Sequence, residues 1–330
     1  MLNPTGHARR FPSVIDSTMI AALSCSRRFD AAYIQNYTPD GGKSIHLTAG
    51  AAFARGLEVQ RLAYYQGFFD RDVYTAITDD NTGAIRMEVT GQEHCVIETP
   101  DDCLTLGIEA LMLAYGEEPE HNTAKTLDRM CGALEFYSSV FPLDDATFGT
   151  IATIGDKPGI EWNFCLPFPV NHPETNMPLL YCGRLDVILD IYGGCYQVDD
   201  KTTSSLGQSW PNQWDMRGQF ASYAWGAREL GIKIDGTLVR GISILKTKYD
   251  SAQAIVHQPD WKVDEWLEGT CRKLEIAKKH YLEGISIPAF GEPCNEYGGC
   301  EFKTPCMVRD HQAWMAMNYG ERNWNPLERH

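Results

Sequence analysis

The chain has 330 residues, of which 43% are hydrophobic and 11% aromatic, enough for a sizeable core and too many for a disordered chain. Its 29 basic and 44 acidic residues leave a net charge of −15, which counts against a protein held on nucleic acid by bulk charge but not against one whose acids hold metal ions. No run of 18 apolar residues occurs and the opening MLNPTGHARRFPSVID lacks a signal-peptide core, so the reading is of an intracellular, cytoplasmic protein.

Residues 13–37 carry apolar side chains at helical spacing behind Asp16 or Ser17 as N-cap. After the break TPDGGKS, helices are expected over about 47–69, 101–115 and 122–139, so that residues 1–140 form a mainly helical section. GGKS at 41–44 ends like a Walker A loop, but Tyr37 stands where the first glycine belongs. From 148 the pattern changes to strands: FGTIATIG, GIEWNFCLPFPV, and LLYCGRLDVILDIYGGCYQVDDKTT, the last read as a hairpin turning at Gly193-Gly194. A helix over 211–230 ended by Gly231, the β-rich GTLVRGISILKTKY and a charged helix over 260–283 complete a core spanning 148–285. A tail over 288–310 is rich in Pro, Gly and Cys. There is no internal repeat and no long linker. The expected architecture is one α/β module over 1–330, with a small mixed sheet flanked by helices, a helical N-terminal section and a cysteine-rich tail.

Chemistry concentrates in the hairpin. Asp186 interrupts the apolar strand GRLDVILDIY, and in the return strand Asp199 and Lys201 share one face while Asp200 takes the other. A turn at Gly193-Gly194 places Asp186 opposite about 201. Two carboxylates at one place attract a divalent cation, and a nearby lysine can hold a water or stabilise a phosphate in transition. Alone, the stretch reads equally as a salt-bridged turn. In PNQWDMRGQFASYAWGARELG, Gln219 and Tyr223 are four residues apart on one helix face, beside an apolar stripe of Met216, Phe220, Ala227 and Leu230. That too, alone, reads as an ordinary polar flank.

Together, GRLDVI with Asp186, VDDKTT with Asp199 and Lys201, and QFASY with Gln219 and Tyr223 resemble the PD-(D/E)xK nuclease superfamily, in its RecB-like exonuclease branch. The resemblance implies a restriction-endonuclease-like core and Mg²⁺ or Mn²⁺ bound by Asp186 and Asp199, with Asp200 offering only its backbone carbonyl. Lys201 would position the attacking water, and Gln219 and Tyr223 would contact DNA or support the metal site. Under this reading Asp200→Ala keeps its activity. Glu161, one strand earlier, matches an acid sometimes found there. The branch often carries a histidine ligand in an N-terminal helix, as G-x-x-x-H-x-x-L-E; GAAFARGLE keeps Gly50, Leu57 and Glu58 but has Ala54 at that place. The site then works with fewer ligands, or His46 or Glu58 substitutes.

Of eleven cysteines, seven (Cys95, Cys103, Cys131, Cys165, Cys182, Cys195, Cys271) are scattered among apolar neighbours and read as small buried hydrophobes. Cys294, Cys300 and Cys306 are different: C-x5-C-x5-C in a Gly/Pro loop reads as a metal-binding set that needs a fourth ligand. Iron–sulfur relatives within the resembled branch, of AddB type and CRISPR-associated, bind a [4Fe–4S] cluster through one N-terminal and three C-terminal cysteines, which implies Cys25 as the fourth. Zn²⁺ is the alternative, though no C-x2-C knuckle is present. Arg27, Arg28, Arg55, Arg61, Lys246 and Lys248 are candidate phosphate contacts, each equally readable as a solvated charge.

The expected function is thus a metal-dependent DNA nuclease acting on single-stranded or free ends, in DNA repair, recombination or phage DNA processing. Helicase or recombination proteins are conceivable partners. The alternative is an inactive DNA-end-binding or assembly subunit of the same fold.

Overall fold

The computed structural model describes residues 9–39, 45–78, 85–116, 124–295, 299–322 and 324–328; the GGKS stretch and the start of the helix expected from 122 lie outside them. Strand β1 (Val14–Ile15) leads into α1 (Ser17–Ala22), α2 (Ser26–Phe29), a π-helical turn (Asp30–Ile34) and β2 (Tyr37–Pro39). The single helix expected over 13–37 is therefore broken. Cys25 is extended (φ −140°, ψ 113°) and Asn36 left-handed (φ 57°), and an α-helix can pass through neither conformation. Helix α3 (Ile45–Gln66) follows as expected.

The next two elements add strands that the sequence reading of the first 140 residues does not include. β3 (Phe68–Thr78) and β4 (Ile85–Val96) form a long antiparallel hairpin. In DRDVYTAIT the β-branched Val73, Thr75 and Ile77 stand at every second position, which is a period-two signal. Helices α4 (Pro100–Tyr115) and α5 (Leu127–Val140) follow, the first closed by a capping box in which Thr99 and Asp102 bond each other's backbone.

The remaining elements are β5 (Thr150–Ile151), β6 (Thr153–Ile154), β7 (Lys157–Pro158), β8 (Ile160–Asn171), β9 (Pro178–Ile191), β10 (Gly194–Thr203), α6 (Gly218–Glu229), β11 (Gly236–Ile244), β12 (Tyr249–His257), α7 (Asp260–Glu283), α8 (Lys303–Cys306), α9 (His311–Asn318) and β13 (Tyr319–Glu321). A mixed sheet runs β1-β9-β10-β11-β12, with β5 and β8 also paired to β9. β10 and β11 are parallel, so α6 must cross over between them. All nine residues of β11 are buried, as in a strand covered on both faces. Ile242 and Ile244 pack with α3, α4 and α5 in one apolar cluster, while Phe164, Tyr181 and Trp225 anchor another with α1, α6 and α7.

Two local corrections move the site. The β9–β10 turn is Tyr192-Gly193, with φ of 51° and 79°, the two positive values that a two-residue type I′ turn requires; Gly194 is already in β10. Within 211–230, a 3₁₀ turn (Pro211–Trp214) and an extended Arg217 (ψ 109°) precede α6. Met216 is consequently 86% exposed and Leu230 48%, so neither belongs to the packing stripe, which Phe220, Ala224 and Ala227 form instead.

Candidate active site

The turn sets the register. β9 pairs with β10 as Val187↔Val198 and with β8 as Ile160↔Val187 and Trp162↔Leu185. One step along, Asp186 falls opposite Asp199, not Lys201, and Glu161 falls opposite Asp186 from the other side. Three acids therefore stand in a row across three neighbouring strands. Asp199 is buried, and the Lys201 ammonium sits 2.6 Å from its Oδ2. That oxygen receives no well-directed hydrogen bond, so the contact is a close ion pair. Asp186 Oδ2 accepts the Asp200 N–H at 3.3 Å. Glu161 pairs with Arg184 Nε at 2.8 Å and adopts φ 47°, a strained conformation for a buried non-glycine residue.

Crowded acids hold protons. Burial, then the adjacent Asp199, raises the Asp186 carboxyl from 3.8 to about 7, with Lys201 opposing. Asp199 is raised as well, by burial, although Lys201 pulls it back. Burial disfavours the Lys201 charge, but attraction to Asp199 and Asp186 outweighs it and raises the ammonium. Gln219 Nε2 donates to the Tyr223 hydroxyl at 2.9 Å. Burial holds the Tyr223 phenol well above its ordinary value, and the fields of Asp186 and Asp199 add to this. The five residues Asp186, Asp199, Lys201, Gln219 and Tyr223 thus occupy one neighbourhood.

Asp200 is placed otherwise than its strand position alone conveys. Its carboxylate points to the opposite face, where Arg61 Nη2 donates to it at 2.6 Å and the Tyr137 hydroxyl at 2.7 Å. Both side chains of this ion pair are only 4% exposed. Arg61 is accordingly a buried structural cation, which corrects its reading as a phosphate contact. Among the other basic candidates, Arg55 pairs with Glu58 at 2.8 Å, Arg28 lies 3.9 Å from Glu301, and Arg27 donates to the Ser286 carbonyl at 3.1 Å. Lys246 and Lys248 are exposed in the β11–β12 turn.

A cleft of about 510 Å³ opens beside the acids. Asp186, Arg184, Gln219 and Tyr223 form one side, and residues 324–328 close another, with Trp324 Nε1 donating to Asp16 Oδ2 at 3.1 Å. Asp199 and Lys201 do not line this cleft. Sequence reasoning missed Arg217, whose charge acts on both Asp199 and Lys201 from the start of α6. It also missed Lys125, a buried ammonium bound to Thr202 Oγ1 at 3.0 Å at the end of β10. Neither belongs to a local motif.

Whether these residues suit a metal is decided by their donors. Among the described residues, no group of three or more His, Cys, Asp or Glu is gathered in cation-holding geometry. Asp199, whose Oδ2 is met only by the Lys201 ammonium, and the proton-holding Asp186 nevertheless form a pair of carboxyls that a divalent cation would satisfy. The four cysteines occupy one region at the seam of the chain's two ends. Cys25 lies within electrostatic reach of Cys300, the Cys300 N–H bonds the Cys294 carbonyl at 3.1 Å, and Tyr319 feels both Cys300 and Cys306. Their sulfurs are not in ligand geometry. No described helix is long and apolar enough to cross a membrane.

No family model and no curated protein matches the chain. Among solved structures, the crystal structure of SSO0001 matches at 14% identity and TM-score 0.27, over 44% of this chain and 57% of that one, so the chain spans little more than half of its length. A protein from Eubacterium rectale that carries the provisional name of an exonuclease matches at 13% identity and TM-score 0.46, over 86% of this chain and 88% of that one. Neither is close enough for its fold or name to be carried across.

Proposed function

We propose that the chain is a metal-dependent DNA nuclease whose reaction centre is the acid row at Asp186 and Asp199. The observation that carries this reading is the pair of neighbouring carboxylates, Asp186 and Asp199, one step beyond the β9–β10 ladder, with the Lys201 ammonium 2.6 Å from Asp199. The resemblance of GRLDVI, VDDKTT and QFASY to RecB-like nucleases supports it independently. Asp186 and Asp199 would hold Mg²⁺ or Mn²⁺, which when bound supplies Lewis-acid polarisation of a phosphate oxygen and a more acidic water. Asp186 reaches the cleft and gives up its proton as the site fills. Lys201, kept charged by the acids, orients the attacking water and offsets charge on the phosphate. Gln219 and Tyr223 line the approach, where a hydroxyl and an amide can bond the sugar–phosphate backbone. Glu161 is held by Arg184, and Glu58 by Arg55, so each is a reserve ligand at most. The carbonyl of Asp200 is the third oxygen in this scheme.

The substrate proposed is DNA with single-stranded or free ends, and the four cysteines are proposed to carry a [4Fe–4S] cluster, with Zn²⁺ as the competing occupant. The test uses end-labelled oligonucleotides in Mg²⁺ or Mn²⁺. Asp199→Asn and Lys201→Ala should each lower cleavage by at least about 10²-fold, with circular dichroism unchanged. Undiminished cleavage by both variants sinks the proposal. DNA binding by the wild type without cleavage in either metal would instead identify a non-cutting DNA-binding subunit.

A further inference from the structure

Cys165 and Cys182 stand directly opposite each other on the antiparallel strands β8 and β9, as registered partners. Their side chains therefore share one face of the sheet, and the Cys165 thiol is close enough to hold the Cys182 proton more firmly. This departs from the expectation of two scattered core hydrophobes, because Cys165 is exposed and both side chains line the cleft that Asp186 reaches. Directly opposed strand residues hold their Cβ atoms about 4.5–5.5 Å apart. A disulfide needs about 3.5–4.5 Å, so a small local adjustment closes one.

We infer that Cys165 and Cys182 form a dithiol modification site in the cleft wall, which a peroxide converts into a reversible cross-strand disulfide. The exposed thiol is the atom that an oxidant meets. Burial, together with the neighbouring Cys165, holds the Cys182 proton in place, so Cys182 is the resolving partner. In the first step the Cys165 sulfur attacks the peroxide, the O–O bond breaks, and Cys165 becomes a sulfenic acid as one water leaves. In the second, the Cys182 sulfur displaces the hydroxyl from Cys165, the S–S bond forms and a second water departs with the Cys182 proton. Two thiols are oxidised by two electrons and one hydrogen peroxide is reduced to two waters. A disulfide adjusted into a sheet is strained and partly exposed, the kind that thiols reduce again readily.

The inference does not depend on nuclease chemistry, because its readout is a covalent bond. The full chain is treated with hydrogen peroxide, free thiols are blocked, and the protein is digested with a Glu-specific protease that cuts at Glu174, between the two cysteines. Mass spectrometry should then find the Cys165 and Cys182 fragments joined, separable by dithiothreitol, and no such species in Cys165→Ser. Thermal melting of that variant, altered at an exposed position, checks that it is folded. Oxidation of Cys165 to its sulfinic acid with Cys182 still free, or recovery of both as free thiols, overturns the inference.

Discussion

Asp200 is the residue where position and environment diverge most. Strand alternation separates it from Asp199 and Lys201, which by itself gives its side chain no part in the acid row. Its carboxylate pairs with the buried Arg61 and also accepts the Tyr137 hydroxyl. Removing one member of a buried pair leaves the other charge unpaired, at a cost of about 3–5 kcal/mol. Asp200→Ala should therefore lower the urea midpoint strongly while activity per folded molecule persists, and adding Arg61→Met should recover part of the loss. A destabilisation below about 1 kcal/mol would contradict this. Asp186 makes a second prediction at this scale. Its carboxyl titrates near 3.8 when unfolded and about 7 when folded, so between these values the folded chain holds the extra proton. Stability contributed here is present below the unfolded value and is lost as pH rises through about 7. Metal-free protein should accordingly lose thermal stability from pH 5 to 7 relative to Asp186→Asn, and the variant should be the more stable by about 1–3 kcal/mol at pH 8. Parallel pH profiles for the two proteins would argue against a proton-holding acid row.

At the scale of elements, the placement of α6 decides whether Gln219 and Tyr223 face the acids. The helix approaches the sheet closely because Gly226 and Gly183 leave room for the Phe164 ring. A Cβ on Gly226 would come within 2.1–2.5 Å of three ring carbons. Alanine gains about 1 kcal/mol of helix propensity over glycine, but overpacking a core contact costs about 1–3 kcal/mol, and an overlap this severe favours the upper part of that range. Gly226→Ala should therefore destabilise by about 1–2 kcal/mol net in chemical denaturation, with Phe164→Leu restoring part of it. A neutral or stabilising effect would show that Phe164 can move aside without cost. The same helix shows how ends decide packing: Met216 and Leu230 fit an apolar period, but Met216 lies before the N-cap Arg217 and Leu230 is the C-cap, next to the left-handed Gly231.

Across the whole molecule, the two ends of the chain are joined. β13 pairs with β2, Phe302 stacks on Tyr319, and Cys25 comes near Cys300. A cluster held there would staple segments separated by most of the chain, where closing a long loop has its largest entropic effect. Anaerobically purified protein should then contain iron and acid-labile sulfide, and Cys300→Ser should lower both together with the melting temperature. Zinc without iron would assign the thiols to Zn²⁺, and no bound metal would leave them as four free cysteines.

The amino-acid order by itself determined what depends on neighbours along the chain: α3, α4 and α7, the β9–β10 hairpin, the alternation that parts Asp199 and Lys201 from Asp200, and the four-residue spacing of Gln219 and Tyr223. Local periodicity carries each of these. The β3–β4 hairpin is also locally encoded, in the period-two pattern of Val73, Thr75 and Ile77. The tertiary structure alone decided the rest. A one-residue difference in turn position exchanged Lys201 for Asp199 opposite Asp186, because strand pairing is an interaction between segments. Arg61, Arg217 and Lys125 acquired their roles, and Cys165 met Cys182, only once distant segments had packed, since charge and thiol contacts depend on distance in space and not on separation in sequence.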